Sequence, residues 1–231
     1  MRSELPVRAA SLRGARNRAR TVCCQDAYGV WQGDGRLVAC VADGVGSQPQ
    51  SHLGAREACR LLGALPYCLD SVLEINSALV DFATSRGIPP VHVSTTLTAA
   101  LLDRETLRCS LVCVGDSPVW LLRAGRWHPL LGSREPGTVT DALPSPAPRA
   151  TTADLLLEPQ DLLVLCTDGF GDVLRESGPA AWLAERWRNP PGWPGFHADL
   201  RIAPEHVDDR SAVCVWIDPG TLQADGAPPG P

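Results

Sequence analysis

Apolar residues in this chain fall mostly into short, nearly continuous runs, each closed by Gly, Asp or Pro. Ala27–Trp31 and Leu37–Ala42 come first, with the length and the β-branched or aromatic content of strands. Two helical stretches follow. Ser51–Leu65 carries Leu53, Ala58, Leu61, Leu62 and Leu65 at helical spacing. Asp70–Thr84 carries Val72, Leu73, Ile75, Leu79, Val80 and Phe82, with Asp70 or Ser71 available as an N-cap. After Gly87 and Pro89-Pro90 the strand pattern returns in Val93–Leu102, Leu107–Val114, Val119–Arg123 and Arg126–Leu130. The connections Asp103-Arg104-Glu105 and Ala124-Gly125 make this an antiparallel meander. Gly132–Ala150, rich in Pro, Gly, Ser and Thr, reads as a long loop and a candidate lid. Ala153–Leu157 and Asp161–Thr167 are two further strands. Phe170–Trp187 reads as one helix, Trp193 as part of a Pro-Gly loop, and Ser211–Ile217 as the last strand. The first dozen residues show no pattern, and the tail from Pro219 is low in complexity. Strands, two helices, strands, a helix and a strand predict an α+β fold, antiparallel sheet with segregated helices, which a pair of sheets held between helix layers would fit.

Composition narrows the function. The chain has 231 residues, 44% of them hydrophobic and 20% charged, enough apolar material for one well-cored domain. All 21 basic residues are arginine. Without lysine there is no Walker A phosphate loop, no kinase ATP lysine and no pyridoxal Schiff base. A net charge of -5 argues against a general nucleic-acid partner. No apolar run is long enough to span a bilayer, and the N-terminus lacks the apolar core of a signal peptide, so a cytoplasmic location without membrane attachment is expected. Of the nine cysteines, Cys40, Cys109, Cys113, Cys166 and Cys214 lie inside strand-like runs, where a free thiol behaves as a small hydrophobe. No paired CxxC motifs suggest zinc. The five histidines are scattered, and none is assigned to catalysis. The basic cluster Arg13, Arg16, Arg18 and Arg20 is either a solvated arm or an anion site.

The chemistry sits where strands end. Val38–Ala42 runs into Asp43-Gly44, Ser110–Val114 into Gly115-Asp116-Ser117, and Leu162–Cys166 into Thr167-Asp168-Gly169; Asp208-Asp209 opens the last strand. One Asp-Gly after a strand is a turn signal. Four acidic strand ends in one domain, if neighbouring strands bring them together, would raise one another's pKa and destabilise the fold unless a cation offset the charge. Oxygen ligands without His or Cys favour Mg²⁺ or Mn²⁺, and two such ions can activate water for in-line attack on a phosphoryl group.

Six motifs stand in one order: Gln25-Asp26-Ala27, Val41-Ala42-Asp43-Gly44-Val45-Gly46-Ser47, Ser94-Thr95-Thr96-Leu97, Val114-Gly115-Asp116-Ser117, Cys166-Thr167-Asp168-Gly169-Phe170 and Asp208-Asp209-Arg210-Ser211. Together they resemble the metal-dependent protein phosphatase family of the 2C or PPM type, in the style of its small bacterial members. The resemblance covers roughly residues 14–217, and implies an arm over 1–13, a phosphatase domain over 14–218 and a tail over 219–231, the domain being an α+β four-layer α-β-β-α sandwich of two antiparallel sheets flanked by helices. It implies that Asp43 bridges two metals with the Gly44 carbonyl as a further ligand, and that Asp168 and Asp208 complete the first metal. Asp26 then stands near the second metal and Asp116 near a third, weaker one. The implied activity is hydrolysis of phosphoserine and phosphothreonine on proteins phosphorylated by a Ser/Thr kinase. Two Mn²⁺ or Mg²⁺ ions would bridge the attacking water, with Asp43 and Asp168 at the reacting centre, in a monomeric enzyme. The alternative is a catalytically weak pseudophosphatase that binds phosphoproteins or serves as a scaffold.

Four positions depart from the family pattern. Gln25 replaces a common Glu, Val45 a His that some eukaryotic members carry, and Asp209 a common Asn, so that Asp208 or Asp209 could be the ligand, with Asp208 preferred. The usual phosphate-binding arginine lies four residues before Gln25, where this chain has Thr21. Arg20, one residue away, is the expected substitute, with Arg18 behind it.

Overall fold

A computed structural model describes residues 4–64, 71–132, 140–202 and 207–218. Ten strands form two antiparallel sheets. They are β1 (Val7–Leu12), β2 (Ala27–Gly33), β3 (Arg36–Ala42), β4 (Leu97–Asp103), β5 (Arg108–Val114), β6 (Val119–Arg123), β7 (Arg126–Leu131), β8 (Thr151–Leu156), β9 (Leu162–Cys166) and β10 (Arg210–Trp216). One sheet has the order β1-β10-β9-β6-β7, the other β2-β3-β4-β5-β8. The helices are α1 (Ala15–Ala19), α2 (Ser51–Ala64), α3 (Val72–Thr84), α4 (Asp168–Arg175), α5 (Ser177–Arg186) and α6 (Trp193–Asp199).

The continuous apolar runs are explained by burial on both faces. Along β3, Leu37, Ala39 and Val41 enter the core between the sheets, while Val38, Cys40 and Ala42 face α2 and α3. Along β10, Val213 and Val215 point into the same central core, and Ala212, Cys214 and Trp216 point to the layer of α4, α5 and α6. A strand covered on both sides has no polar face to show, so its sequence is apolar throughout. The order of layers is therefore α2/α3, sheet, sheet, α4/α5/α6, as expected.

Several elements differ from the pattern reading. Residues 7–12, expected to lie in an N-terminal arm, form β1 and pair with β10 from Val7↔Val215 to Leu12↔Arg210. Their apolar signal is weak because the two fully buried positions between Arg8 and Ser11 are alanines. The helix expected over Phe170–Trp187 is two helices. Glu176 is extended (φ -82, ψ 120), because Pro179 has no N–H for a carbonyl four residues back. The 3₁₀ turn Pro90–Val93 displaces the start of the expected Val93–Leu102 strand to Leu97. Trp193 begins a helix, α6. Asp70 and the tail from residue 219 lie outside the described residues. Ser71 is the N-cap position of α3.

The described part of the candidate lid, residues 140–150, is anchored. Leu143 is fully buried in the α2/α3 layer and exchanges both backbone hydrogen bonds with Thr95, each 2.8 Å. Asn76 on α3 donates to the Ser145 carbonyl and accepts from its N–H (3.0 and 2.8 Å). Among the described residues no helix is long and apolar enough to cross a membrane. The eight described cysteines are free thiols.

Trp187 centres the layer on the β10 side. It is fully buried, stacks on Phe170 (5.8 Å between centroids) and packs against Phe196, Trp127 and Trp216. Its indole N–H donates to the buried Asp199 carboxylate (2.9 Å). Trp187→Ala is expected to cost about 4 kcal/mol of unfolding free energy, from a large cavity and an orphaned carboxylate oxygen. Urea denaturation measures it, and a loss below about 1 kcal/mol would contradict this packing account.

Candidate active site

Antiparallel pairing gathers the acidic strand ends. The start of β2 lies opposite the end of β3 (Ala27↔Ala42), and the start of β4 opposite the end of β5 (Leu97↔Val114). In the other sheet the end of β9 faces the start of β10 (Cys166↔Ala212). Asp26, Asp43, Asp116, Asp168, Asp208 and Asp209 thus stand at one end of the sandwich. The cleft there, of about 150 Å³, is lined by Asp43, Gly44, Asp116, Asp168, Asp208 and Asp209, by Thr96 and Thr140, and by a single cationic side chain among the described residues, Arg16. No described histidine lines it.

Hydroxyls fix the carboxylates from behind. The Asp43 N–H donates to Thr96 Oγ1 (2.9 Å), and Thr95 Oγ1 donates to the Asp43 carbonyl (2.9 Å). Thr96 Oγ1 is itself 2.8 Å from Ser117 Oγ. Thr167 Oγ1 donates to Asp26 Oδ2 (2.8 Å) and accepts from the Ser211 N–H (2.9 Å), which locks β2 to the ends of β9 and β10. Thr140 Oγ1 donates to Asp116 Oδ2 (2.8 Å), joining the anchored loop to the cleft. Glycine after Asp43 is a packing requirement, since a Cβ on Gly44 would lie 2.7 Å from the Gln25 carbonyl.

The acidic groups repel one another strongly. Burial first, then the charge of Asp209, pushes the Asp26 carboxyl up to about 8, against the opposing effect of the Thr167 and Ser211 hydroxyls. Burial and then Asp26, Asp168 and Asp208 hold Asp43 well above the usual carboxylate range. Burial, Asp116 and Asp208 raise Asp168, which shares a hydrogen bond with Asp43. Asp26 Oδ1 is buried and has no hydrogen-bond partner.

Asp208 and Asp209 divide their tasks. Asp208, half-exposed in the cleft, takes Arg16 Nη2 on both oxygens (2.7 and 2.8 Å). Asp209 is buried and accepts from Gly14 N (2.6 Å), Asn17 Nδ2 (2.8 Å) and Gln25 N (2.6 Å). Arg20, the expected phosphate contact, is instead the exposed C-cap residue of α1, one turn beyond Arg16. The helix turns the chain so that the fourth residue before Arg20, not Arg20, reaches the cleft. Arg16 belonged to the basic cluster already noted, but a count of residues back from Gln25 passes it by.

Among the described residues no three His, Cys, Asp or Glu side chains form a closed metal cage. The donor set nonetheless fits a hard divalent cation: it is all oxygen, its carboxyls are raised by mutual repulsion, and Asp26 keeps one buried oxygen unpartnered.

An α-β-β-α sandwich with an acidic cleft at the shared end of its sheets is the class of fold that the motif order led us to expect of a metal-dependent phosphatase. The family model Protein phosphatase 2C matches residues 13–192, and the chain belongs to that family. Solved structures agree on the fold. The S. agalactiae serine/threonine phosphatase superposes with a TM-score of 0.72 at 17% identity, over 93% of this chain and 100% of that one. The Mycobacterium tuberculosis serine/threonine phosphatase PstP gives 0.66 at 21% identity, over 93% and 99%. RsbX in complex with magnesium gives 0.65 at 14% identity, over 90% and 93%. No curated protein sequence matches the chain significantly.

Carboxyls whose folded pKa exceeds the unfolded value, about 4, contribute full stability below that value and lose it as pH rises through the folded one. In EDTA the melting temperature should therefore fall between pH 5 and 8.5, the window that includes Asp26 at about 8. Mn²⁺ should suppress the fall by binding the ionised form, and Asp43→Asn should flatten it. Thermal melts across this range decide the point; a flat or rising profile in EDTA would remove the repulsion argument.

Proposed function

We propose that this chain is a metal-dependent protein serine/threonine phosphatase of the cytoplasm, acting as a monomer on proteins phosphorylated by a Ser/Thr kinase. The observation that carries the reading is the convergence of Asp43, Asp116, Asp168 and Asp208 on one cleft whose one described cation is Arg16, with Asp26 buried close enough behind them to raise Asp43. Asp43, the Gly44 carbonyl, Asp168, Asp208 and Asp26 would hold two Mn²⁺ or Mg²⁺ ions, and Asp116, tethered by Thr140, a third and weaker one. When bound, such ions neutralise phosphoryl charge and make water acidic enough for direct attack, with no phosphoenzyme.

The chain's own groups do the rest. Arg16 offers guanidinium donors to the phosphoryl oxygens at the mouth of the cleft. Thr95 and Thr96 clamp the Asp43 backbone from two sides, so its carboxylate is presented without rearrangement. With Val45 rather than a histidine beside Gly44, the leaving oxygen takes its proton from solvent. At about 150 Å³ the cleft is smaller than the 300–1,000 Å³ or so of pockets that enclose a small molecule. It suits a phosphorylated side chain whose parent stays outside, which favours phosphoproteins over small phosphoesters. The three solved structures above share the fold, two of them described as serine/threonine phosphatases.

Turnover of a phosphothreonine peptide should vanish in EDTA and return with Mn²⁺ or Mg²⁺. Asp43→Asn should lower kcat by about 100-fold or more, on the order of 3 kcal/mol of barrier, and Asp26→Asn by less. A folded wild type that binds Mn²⁺ without turnover would select the pseudophosphatase, and rescue by zinc alone would overturn the oxygen-ligand reading. Arg16→Ala should raise KM about tenfold with kcat little changed, as expected when a substrate contact is lost, whereas Arg20→Ala should leave both near wild type. Steady-state kinetics on the two variants separate the arginines.

A further inference from the structure

The segment that carries Arg16 has little reason to be helical by itself. Five residues are too few for a stable isolated helix, and Gly14, its N-cap residue, offers no side-chain cap. Its order comes from outside. Arg16 N donates to the Val207 carbonyl (3.0 Å). Three further donors converge on one buried carboxylate: Asp209 Oδ1 accepts from Gly14 N at the start of the segment, and Oδ2 accepts from Asn17 Nδ2 inside α1 and from Gln25 N where the chain enters β2. Asn17, Gln25 and Asp209 are all buried, and Asn17 Nδ2 also reaches Gln25 Oε1 (3.3 Å). One side chain therefore pins the beginning, middle and end of the stretch from Gly14 to Gln25.

We propose that Asp209 is the positioning residue for Arg16: it folds residues 14–25 into the platform that delivers the Arg16 guanidinium to the cleft, and it does not ligate metal. The proposal rests on the phosphatase reading only for the identity of what Arg16 meets, a phosphoryl group. Its chemistry is specific to a carboxylate. Both oxygens are acceptors, so three N–H donors can be met from two atoms. An asparagine in either orientation would turn an NH₂ toward a donor and lose at least one contact. Asp208 next door faces the cleft instead, with Arg16 Nη2 across both its oxygens and the Asp209 N–H donating to Oδ1 (2.9 Å). The approach is also close: a Cβ on Gly14 would overlap the carbonyls of Val207 and Asp208, so bulk at Gly14 pushes the same platform away without touching a charge.

The test compares Asp209→Asn, Gly14→Ala and the milder Asn17→Ala with Arg16→Ala in the full-length protein. Three quantities are read: Mn²⁺ affinity by titration calorimetry, inorganic phosphate affinity for the Mn²⁺-loaded protein, and KM and kcat on p-nitrophenyl phosphate. Asp209→Asn and Gly14→Ala should weaken phosphate binding and raise KM about as much as Arg16→Ala does, roughly tenfold, and Asn17→Ala in the same direction by less. Mn²⁺ affinity should stay within about twofold and kcat within about threefold. In the double variant Asp209→Asn with Arg16→Ala the losses should not add, because both act through one guanidinium. Loss of Mn²⁺ affinity in Asp209→Asn would make Asp209 a ligand and overturn the proposal. So would additive losses, or phosphate affinity unchanged in both Gly14→Ala and Asn17→Ala, which remain informative if Asp209→Asn does not fold. A wild type that binds phosphate without turnover would fail the phosphatase reading alone, since phosphate affinity still reports on Asp209 and Arg16.

Discussion

Carboxylates crowded into a poorly solvated cleft raise one another's proton affinity, and the end of this sandwich is arranged around that repulsion. Asp26, Asp43 and Asp168 are each held above their ordinary range by burial and by their neighbours. A fold that tolerates this must hold the groups in place by other means. The means here are neutral: Thr95, Thr96, Ser117 and Thr167 hydroxyls and strand-end backbone groups supply the positioning. The only described guanidinium in the cleft, that of Arg16, reaches the half-exposed Asp208 through Nη2. The inner groups hold their protons tightly for want of a cationic partner among the described residues, and a divalent cation that displaced those protons would supply the missing countercharge.

The two sheets make that crowding possible by contributing different members. Asp26 and Asp43 leave the β2-β3 side, Asp116 leaves β5, and Asp168 and Asp208 belong to the β9-β10 side. Neither sheet holds the set alone. The hydroxyl of Thr167 bridges the divide by bonding Asp26 across it, and the backbone contact between Leu143 and Thr95 ties the neighbouring loop to the same end. Loop 140–150 is thus a fixed wall of the cleft over its described residues, and Thr140 can hold Asp116 because Leu143 and Asn76 hold the loop.

Much of the fold was legible in sequence for a physical reason. Strands such as β3, β9 and β10 are covered on both faces, so they need uninterrupted apolar residues and announce themselves. The edge strand β1 needs less, and alanines at its most buried positions left no pattern to see. The split between α4 and α5 was present in Ser177-Gly178-Pro179, but an apolar periodicity that runs through the break outweighed it. In the site, the aspartates stood out because each stands at one end of a strand. Arg16 did not, because a helix reverses the relation between distance along the chain and distance in space. Thr140 did not either: its bond to Asp116 spans 24 positions and belongs to no local motif.

The central core has a second reading. Leu37, Ala39, Val41, Leu163, Leu165, Val213 and Val215 fill the space between the sheets, and the separation they set is also the separation between Asp43 and Asp168. These side chains act as a ruler as well as a filling. A methylene gained or lost among them changes a length at the far end of the strands, where chemistry is sensitive to fractions of an ångström. A substitution in this core therefore acts twice, on the free energy of folding and on span, and two substitutions of equal stability need not leave the cleft equally spaced.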